Sequence, residues 1–454
     1  MATHHYDLVI VGAGSGNILP TEEFDHWRIA IVEAERFGGT CLNRGCIPSK
    51  MLVHTADIAQ AVRDTQRFGI GAELTGVDWP AIRDRIFGRI DPKHEEAIVD
   101  RRNLGIDIFL GEAHFAGLKV LQVNKDELHA DRFVLATGSR PVVPPVAGLD
   151  KTPYFTSDTV MRLEMLPESM VVVGGGYIAA EMSHIFGSLG TKITIIEQAD
   201  QLLPTHDLDI RARFTDLYRR RFDIRLSAKV VRTSKTREGV EVAFESAEEG
   251  VESVEAEVLL IATGRRPNSD RLNSAAAGLD LDEHGHIRID DTYQTNVPGI
   301  WAFGDLVNHF NLKHMANAEA RVVSHNLLHS STPEKLPFSL VPSAVFGEPQ
   351  IASVGATEQD LQTDGRPYVA ATRPYSDAAF GWALEDDTGF VKILADPDSR
   401  LILGVHIIGP QASILIQPLL QAMCLGNNVD DVARRVLYIH PALSEVVDQT
   451  LLAL

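Results

Sequence analysis

The chain has 454 residues, which at ~150 residues per domain suggests about three domains. With 42 Lys and Arg against 62 Asp and Glu, its formal net charge is −20, so it lacks the basic footprint that nucleic acid or an anionic membrane surface requires. Apolar residues make up 44% and charged residues 23%, so a folded core is expected and disorder is not.

No apolar run reaches the ~18 residues of a transmembrane helix. The start, Met1 to Tyr6, has neither a basic leader nor a cleavage site and enters a strand almost at once. A cytoplasmic protein is therefore expected, and three cysteines are too few for a secreted disulfide scaffold.

The apolar run 7–11 leads into Gly12-Ala-Gly14-Ser15-Gly16-Asn17. A strand followed by a tight glycine turn is the dinucleotide-binding pattern, in which backbone N–H groups and a helix N-terminus meet a pyrophosphate. The same device recurs where Met170 to Val173 lead into Gly174-Gly175-Gly176-Tyr177-Ile178. Each copy is followed by a second strand that ends in an acid, Glu33 or Glu197, placed to accept from ribose hydroxyls. In the first copy Asn17 replaces the third glycine and Pro20 falls where a helix should run, so a short or irregular helix is predicted there.

Two further turns match each other, Ala136-Thr137-Gly138-Ser-Arg-Pro141 and Ala262-Thr-Gly264-Arg-Arg-Pro267, and read as equivalent crossings between two nucleotide-binding folds. A short strand then ends in Gly304-Asp305. The first nucleotide-binding unit is thus interrupted by the second and then resumes. After about residue 341, β-rich runs alternate with helical ones and predict a separate α+β unit. The fold class is α/β: two Rossmann-like units, with boundaries 1–150 plus 276–340 and 151–275, followed by an α+β unit over 341–454.

The chemistry centres on Gly38-Gly39-Thr40-Cys41-Leu-Asn-Arg-Gly45-Cys46, continuing to Lys50. A close Cys pair is redox-active or metal-binding. A metal site needs a second ligand cluster, and the chain has no other Cys pair. On a regular helix the two positions stand ~140° and ~8 Å apart. A bridge needs Cα atoms within about 7 Å, so bridging would require a break in the helix, which Gly45 permits.

With these motifs in order, the sequence resembles the FAD-dependent pyridine nucleotide–disulfide oxidoreductases, the family of glutathione reductase and dihydrolipoyl dehydrogenase. The likeness spans essentially the whole chain, through the C-terminal His440-Pro-Ala-Leu-Ser-Glu445. It implies FAD and NADPH or NADH as cofactors, with electrons passing to a Cys41–Cys46 disulfide. Cys46 would be the thiolate beside the flavin and Cys41 the thiol that attacks a small-molecule disulfide. His440 and Glu445 would form an acid–base dyad supplied across a homodimer interface. Pro441 is expected to start the helix that carries Glu445. Lys50 and Glu181 would form an ion pair near the flavin, Asp305 would bind its ribityl chain, and Tyr177 would cover it until nicotinamide arrives. Lys313 and His314 would stand at the start of a helix aimed at the flavin pyrimidine. The nucleotides would be held by Gly12, Gly14, Ser15, Gly16, Glu33, Gly39, Thr40, Thr137, Gly138, Gly174, Gly176, Ile178, Glu197 and Gly264.

Within the family the likeness is to the branch that reduces mycothione. It is carried by Phe87-Gly-Arg-Ile-Asp-Pro92, Thr156-Ser-Asp-Thr-Val-Met-Arg162, Leu312 to Asn317, Phe380 to Asp386 and Tyr438 to Leu443. That branch implies NADPH. Between Lys192 and Arg211, however, there is no Lys or Arg to meet a 2′-phosphate, and Glu197 would repel one, so the residues favour NADH. Arg44 and the segment Arg85 to Lys93 are the candidate substrate contacts.

Overall fold

The computed structural model describes residues 2–246, 250–337 and 339–454. The first strand, Ala2–Val11, is the parallel centre of a seven-stranded sheet, between Ile29–Glu33 and Asp126–Leu135. Leu8 to Val11 are all buried, as a parallel strand covered on both faces requires. Alternation splits them between two cores: Val9 and Val11 pack with Phe133 and Leu306, whereas Leu8 and Ile10 pack with Phe37 and Val323.

The strand Asp126–Leu135 has two neighbours on its outer side. Its first residues take Val120–Val123 antiparallel, and its last three take Ile300–Ala302 in parallel. The chain therefore leaves this sheet and returns to it, as the order of motifs predicts.

In place of a helix after the first glycine turn stand two short 3-10 turns, Gly16–Ile18 and Glu22–Phe24. Asn17 is held by Arg101, which gives its Nε to Oδ1 at 2.8 Å and an Nη to the carbonyl at 2.7 Å.

The second parallel sheet runs in the order Asp223–Arg225, Lys192–Ile196, Ser169–Val173, Val258–Ile261, Phe155–Thr156. An antiparallel sheet of Ala228–Lys235, Val240–Ser246 and Gly250–Ala256 packs with it in one core. The two matched turns meet as a two-stranded antiparallel ribbon, Ser139–Pro141 against Arg265–Pro267. The last unit is a five-stranded antiparallel sheet from Ser343 to Ile408, with helices Ala412–Cys424, Val429–Arg435 and Ser444–Leu452 closing one core over it. Among the described residues no helix is long and apolar enough to cross a membrane.

Candidate active site

Cys41 lies in the short helix Gly39–Arg44, and Cys46 is the first residue of the long helix Cys46–Asp64. Between them Gly45 takes φ −135° and ψ −117°, where a Cβ would stand 2.9 Å from the Thr40 carbonyl oxygen. The helix breaks there and folds the two thiols into hydrogen-bond contact. That contact sets their acidities apart. The Cys46 thiol is lowered to about 7, first by the Cys41 S–H and then, against burial, by the Lys50 cation. The Cys41 thiol is pushed well up by the same hydrogen bond and by burial. A helix N-terminus beside Cys46 acts in the same sense.

The pair opens into a cavity of about 1560 Å³, above the ~300–1,000 Å³ of ordinary small-ligand pockets and suited to an extended dinucleotide. Gly12, Gly14 and Ser15 line it from the first turn, and Glu33, Gly39 and Thr40 line it beyond that turn. Gly12 has φ +105°, and any Cβ there would overlap the Ala136 carbonyl oxygen. Glu33 accepts from Ala13 N–H at 2.7 Å and Glu35 N–H at 2.9 Å, which ties the acid to the turn. Thr137 and Gly138 complete this wall, and the buried Thr137 Oγ1 has no partner within the described protein. The cradle that a side chain would fill and this unsatisfied hydroxyl both fit a bound FAD.

Gly304 and Asp305 share the cavity wall with Lys50, Glu181, Tyr177 and Ile178. Lys50 Nζ gives to both Glu181 oxygens at 2.7 Å. Ser139 Oγ gives to Asp305 Oδ2 at 2.6 Å, and Arg265 gives to Ser139 Oγ at 2.8 Å and to its carbonyl at 2.7 Å. Sequence reading missed Arg265, although it sits in the repeated turn. Lys313 Nζ gives to Ser15 Oγ at 2.8 Å, and His314 Nε2 lies 2.9 Å from the Pro342 carbonyl.

Gly176 lines the same cavity and precedes the helix Tyr177–Leu189, whereas Gly16, Gly174, Glu197 and Gly264 stand outside it. Gly174 repeats Gly12: its φ is +112°, and a Cβ would overlap the Ala262 carbonyl oxygen. Glu197 Oε1 accepts from Ala199 N–H at 2.7 Å. The next strand brings Arg225 alongside, but that guanidinium pairs with Asp223 at 3.0 Å and Glu252 at 3.3 Å.

His440 Nδ1 and Glu445 Oε1 are 2.8 Å apart, and the bond to His440 holds the Glu445 carboxyl low. Pro441 does not open a helix. The helix is Ser444–Leu452, and residues 441–443 form a turn in which Ala442 N–H gives to Glu445 Oε2 at 3.3 Å. The imidazole is exposed and does not line the cavity of its own chain. Leu437, Ile439 and Trp382 are exposed on the same C-terminal unit, at 97%, 74% and 68%.

Of the expected substrate contacts, Arg44 lines the cavity, whereas the segment Arg85 to Lys93 does not. Arg44 pairs with Glu35 and, at 3.5 Å, with Asp158. Asp91 pairs with Arg36 at 3.4 Å and Arg162 at 2.7 Å, and Arg162 stacks 3.7 Å over the Phe87 ring. Two of the sequence motifs thus form one network.

A dinucleotide cradle beside paired thiols of opposite acidity defines a flavin-dependent disulfide reductase. The chain matches the models for pyridine nucleotide-disulphide oxidoreductase over residues 6–320 and for that family's dimerisation domain over 341–451. It belongs to the pyridine nucleotide–disulphide oxidoreductase family, whose members use FAD and a pyridine nucleotide. It is 41% identical to mycothione reductase of Mycobacterium tuberculosis, with 99% of each chain covered. It is 32% identical to dihydrolipoyl dehydrogenase of Halobacterium salinarum, covering 97% of this chain and 94% of that one. The structure of HOCl-induced flavoprotein disulfide reductase RclA from Escherichia coli, solved as a Cu(II) complex, superposes with TM-score 0.88 at 28% identity over 99% of both chains.

Proposed function

We propose that this oxidoreductase reduces mycothione and draws its electrons from NADH. The observation that carries the substrate is the end-to-end 41% identity to mycothione reductase of M. tuberculosis. The nucleotide preference is supported by Glu197 at the strand end and by Arg225, whose guanidinium pairs with Asp223 and Glu252. In this reading residues 1–150 and 276–340 hold FAD, 151–275 hold the nicotinamide nucleotide, and 341–454 pair two copies.

Bound FAD supplies two-electron transfer between reduced nicotinamide and the sulfur pair. Lys50, held by Glu181, would place a cation near the flavin, and Tyr177, which lines the same cavity, would shield it until nicotinamide binds. Reduction leaves Cys46 as the thiolate and the proton on Cys41, in accord with their acidities. Cys41 therefore needs a base. His440 of the partner copy takes its proton, with Glu445 fixing the imidazole tautomer. The Cys41 thiolate attacks the substrate disulfide and forms a mixed disulfide, and the departing thiolate takes the proton from His440. Cys46 then attacks the Cys41 sulfur of the mixed disulfide and restores the Cys41–Cys46 bond, expelling the second half of the substrate as a thiolate that takes its proton from solvent.

The test is turnover of the holoenzyme with mycothione, glutathione disulfide and lipoamide, each with NADH and NADPH. Mycothione with NADH should give the highest kcat/KM, by about tenfold or more. Preferred turnover of lipoamide would establish the second reading, dihydrolipoyl dehydrogenase, which Glu197 also favours.

A further inference from the structure

The helix Lys313–Leu328 carries a carboxylate, Glu319, that is only 1% exposed. Burying a carboxylate is costly unless donors meet it. Three do, and all come from the segment 293–308. Gly304 N–H gives to Oε2 at 2.7 Å, Asn308 Nδ2 to Oε1 at 2.8 Å, and the Tyr293 hydroxyl to Oε1 at 3.4 Å. Burial, with Asp305 adding, pushes the carboxyl up to about 7 against the pull of the Gly304 N–H and the Tyr293 hydroxyl.

The backbone shows what this carboxylate holds. The strand Ile300–Ala302 runs along Asp126–Leu135, and Phe303 N–H still gives to the Leu135 carbonyl at 3.1 Å. At Gly304 the ladder ends. Its φ turns to +75°, the chain enters the single 3-10 turn Gly304–Leu306, and its N–H goes to Glu319 instead. Asp305 follows at once and faces the cavity with its Oδ2 on the Ser139 hydroxyl.

We propose that Glu319 is a positioning residue for the flavin, fixing the Gly304–Asp305 turn so that Asp305 presents its carboxylate to the bound cofactor. It touches neither thiol nor nucleotide and acts through the Gly304 backbone and the Asn308 amide. The inference depends on flavin binding, a property of the family, and not on which disulfide is reduced.

The test is the dissociation constant for FAD, read from flavin fluorescence on release from the holoenzyme, with the melting temperature taken with and without FAD. Glu319→Ala should raise the dissociation constant by roughly tenfold or more, the scale of a lost hydrogen bond to a charged acceptor, and shrink the FAD-induced gain in melting temperature. Glu319→Gln retains an acceptor for the Gly304 N–H and should recover most of the affinity. Unchanged affinity in Glu319→Ala, or a glutamine as weak as the alanine, would overturn the proposal. Should the alanine variant not fold, Asn308→Ala is read in its place: FAD should weaken about threefold, and parental affinity would count against the role.

Discussion

Lys50 gives its Nζ to both carboxylate oxygens of Glu181 at 2.7 Å, joining two helices that begin at Cys46 and Tyr177 and run side by side. The partners are unequal: the Lys50 side chain is 37% exposed and the Glu181 side chain 6%. Glu181 also accepts from Phe346 N–H at 3.1 Å, and Lys50 sits 4.6 Å over the Phe346 ring. Further along the same helices His184 Nε2 meets Asp57 at 2.8 Å.

The inequality gives a stability prediction. Lys50→Met strands a buried carboxylate and should cost on the order of 2 kcal/mol, less than a fully buried pair because Lys50 reaches solvent. Adding Glu181→Gln removes the stranded charge and should restore most of the lost melting temperature. A double variant that melts as low as the single one would assign the loss to something other than the pair.

The thiols give a pH prediction. The Cys46 pKa is lowered to about 7 from 9.0, so its thiolate is present above about pH 7 and lost as pH falls through it. Alkylation of the reduced protein by iodoacetamide should rise through that midpoint. Cys41→Ala removes the S–H that gives to Cys46 and should move the midpoint upward. An unmoved midpoint would mean that Lys50 and the helix N-terminus set it without Cys41.

The two glycine turns should separate the two nucleotides. Gly12→Ala collides with Ala136 backbone and Gly174→Ala with Ala262 backbone. The first variant should purify without flavin colour. The second should keep its flavin and lose affinity for reduced nicotinamide, read by stopped-flow flavin reduction. Flavin loss in both would show that the turns are not independent.

The dyad yields a complementation experiment. His440→Asn should slow disulfide turnover by ~10²–10⁴ while nicotinamide still reduces the flavin. Cys41→Ser should behave likewise. A mixed dimer of the two variants regains one intact site if His440 serves the partner copy. A mixed dimer as inactive as its parents would place the dyad within one chain.

Much of this site was legible in the sequence because its parts are local. A glycine turn after an apolar strand, or a cysteine on each side of Gly45, announces its geometry within a few residues. The irregular start after Gly16 was legible from Asn17 and Pro20, although Arg101, which secures it, comes from a distant helix. Pro441 misled because a proline suits a helix start, yet here residues 441–443 turn to bring Glu445 back to His440. The ion pairs of Arg44 were not legible, because its partners Glu35 and Asp158 meet it only once the chain has folded. Arg265 shows in the sequence only as part of the repeated turn and Glu319 not at all, since each acts on backbone groups far along the chain from itself.

By itself the sequence determined the order of the turns, the closeness of the two cysteines and the α/β class, because apolar periodicity, glycine placement and short spacings are short-range properties of the chain. Only the tertiary structure decided which charges are free and which are spent. It set Cys41 and Cys46 to opposite acidities and put Glu319 beneath Asp305. Acidity and ion pairing depend on burial and on distances of a few ångströms between residues that the chain brings together from far apart.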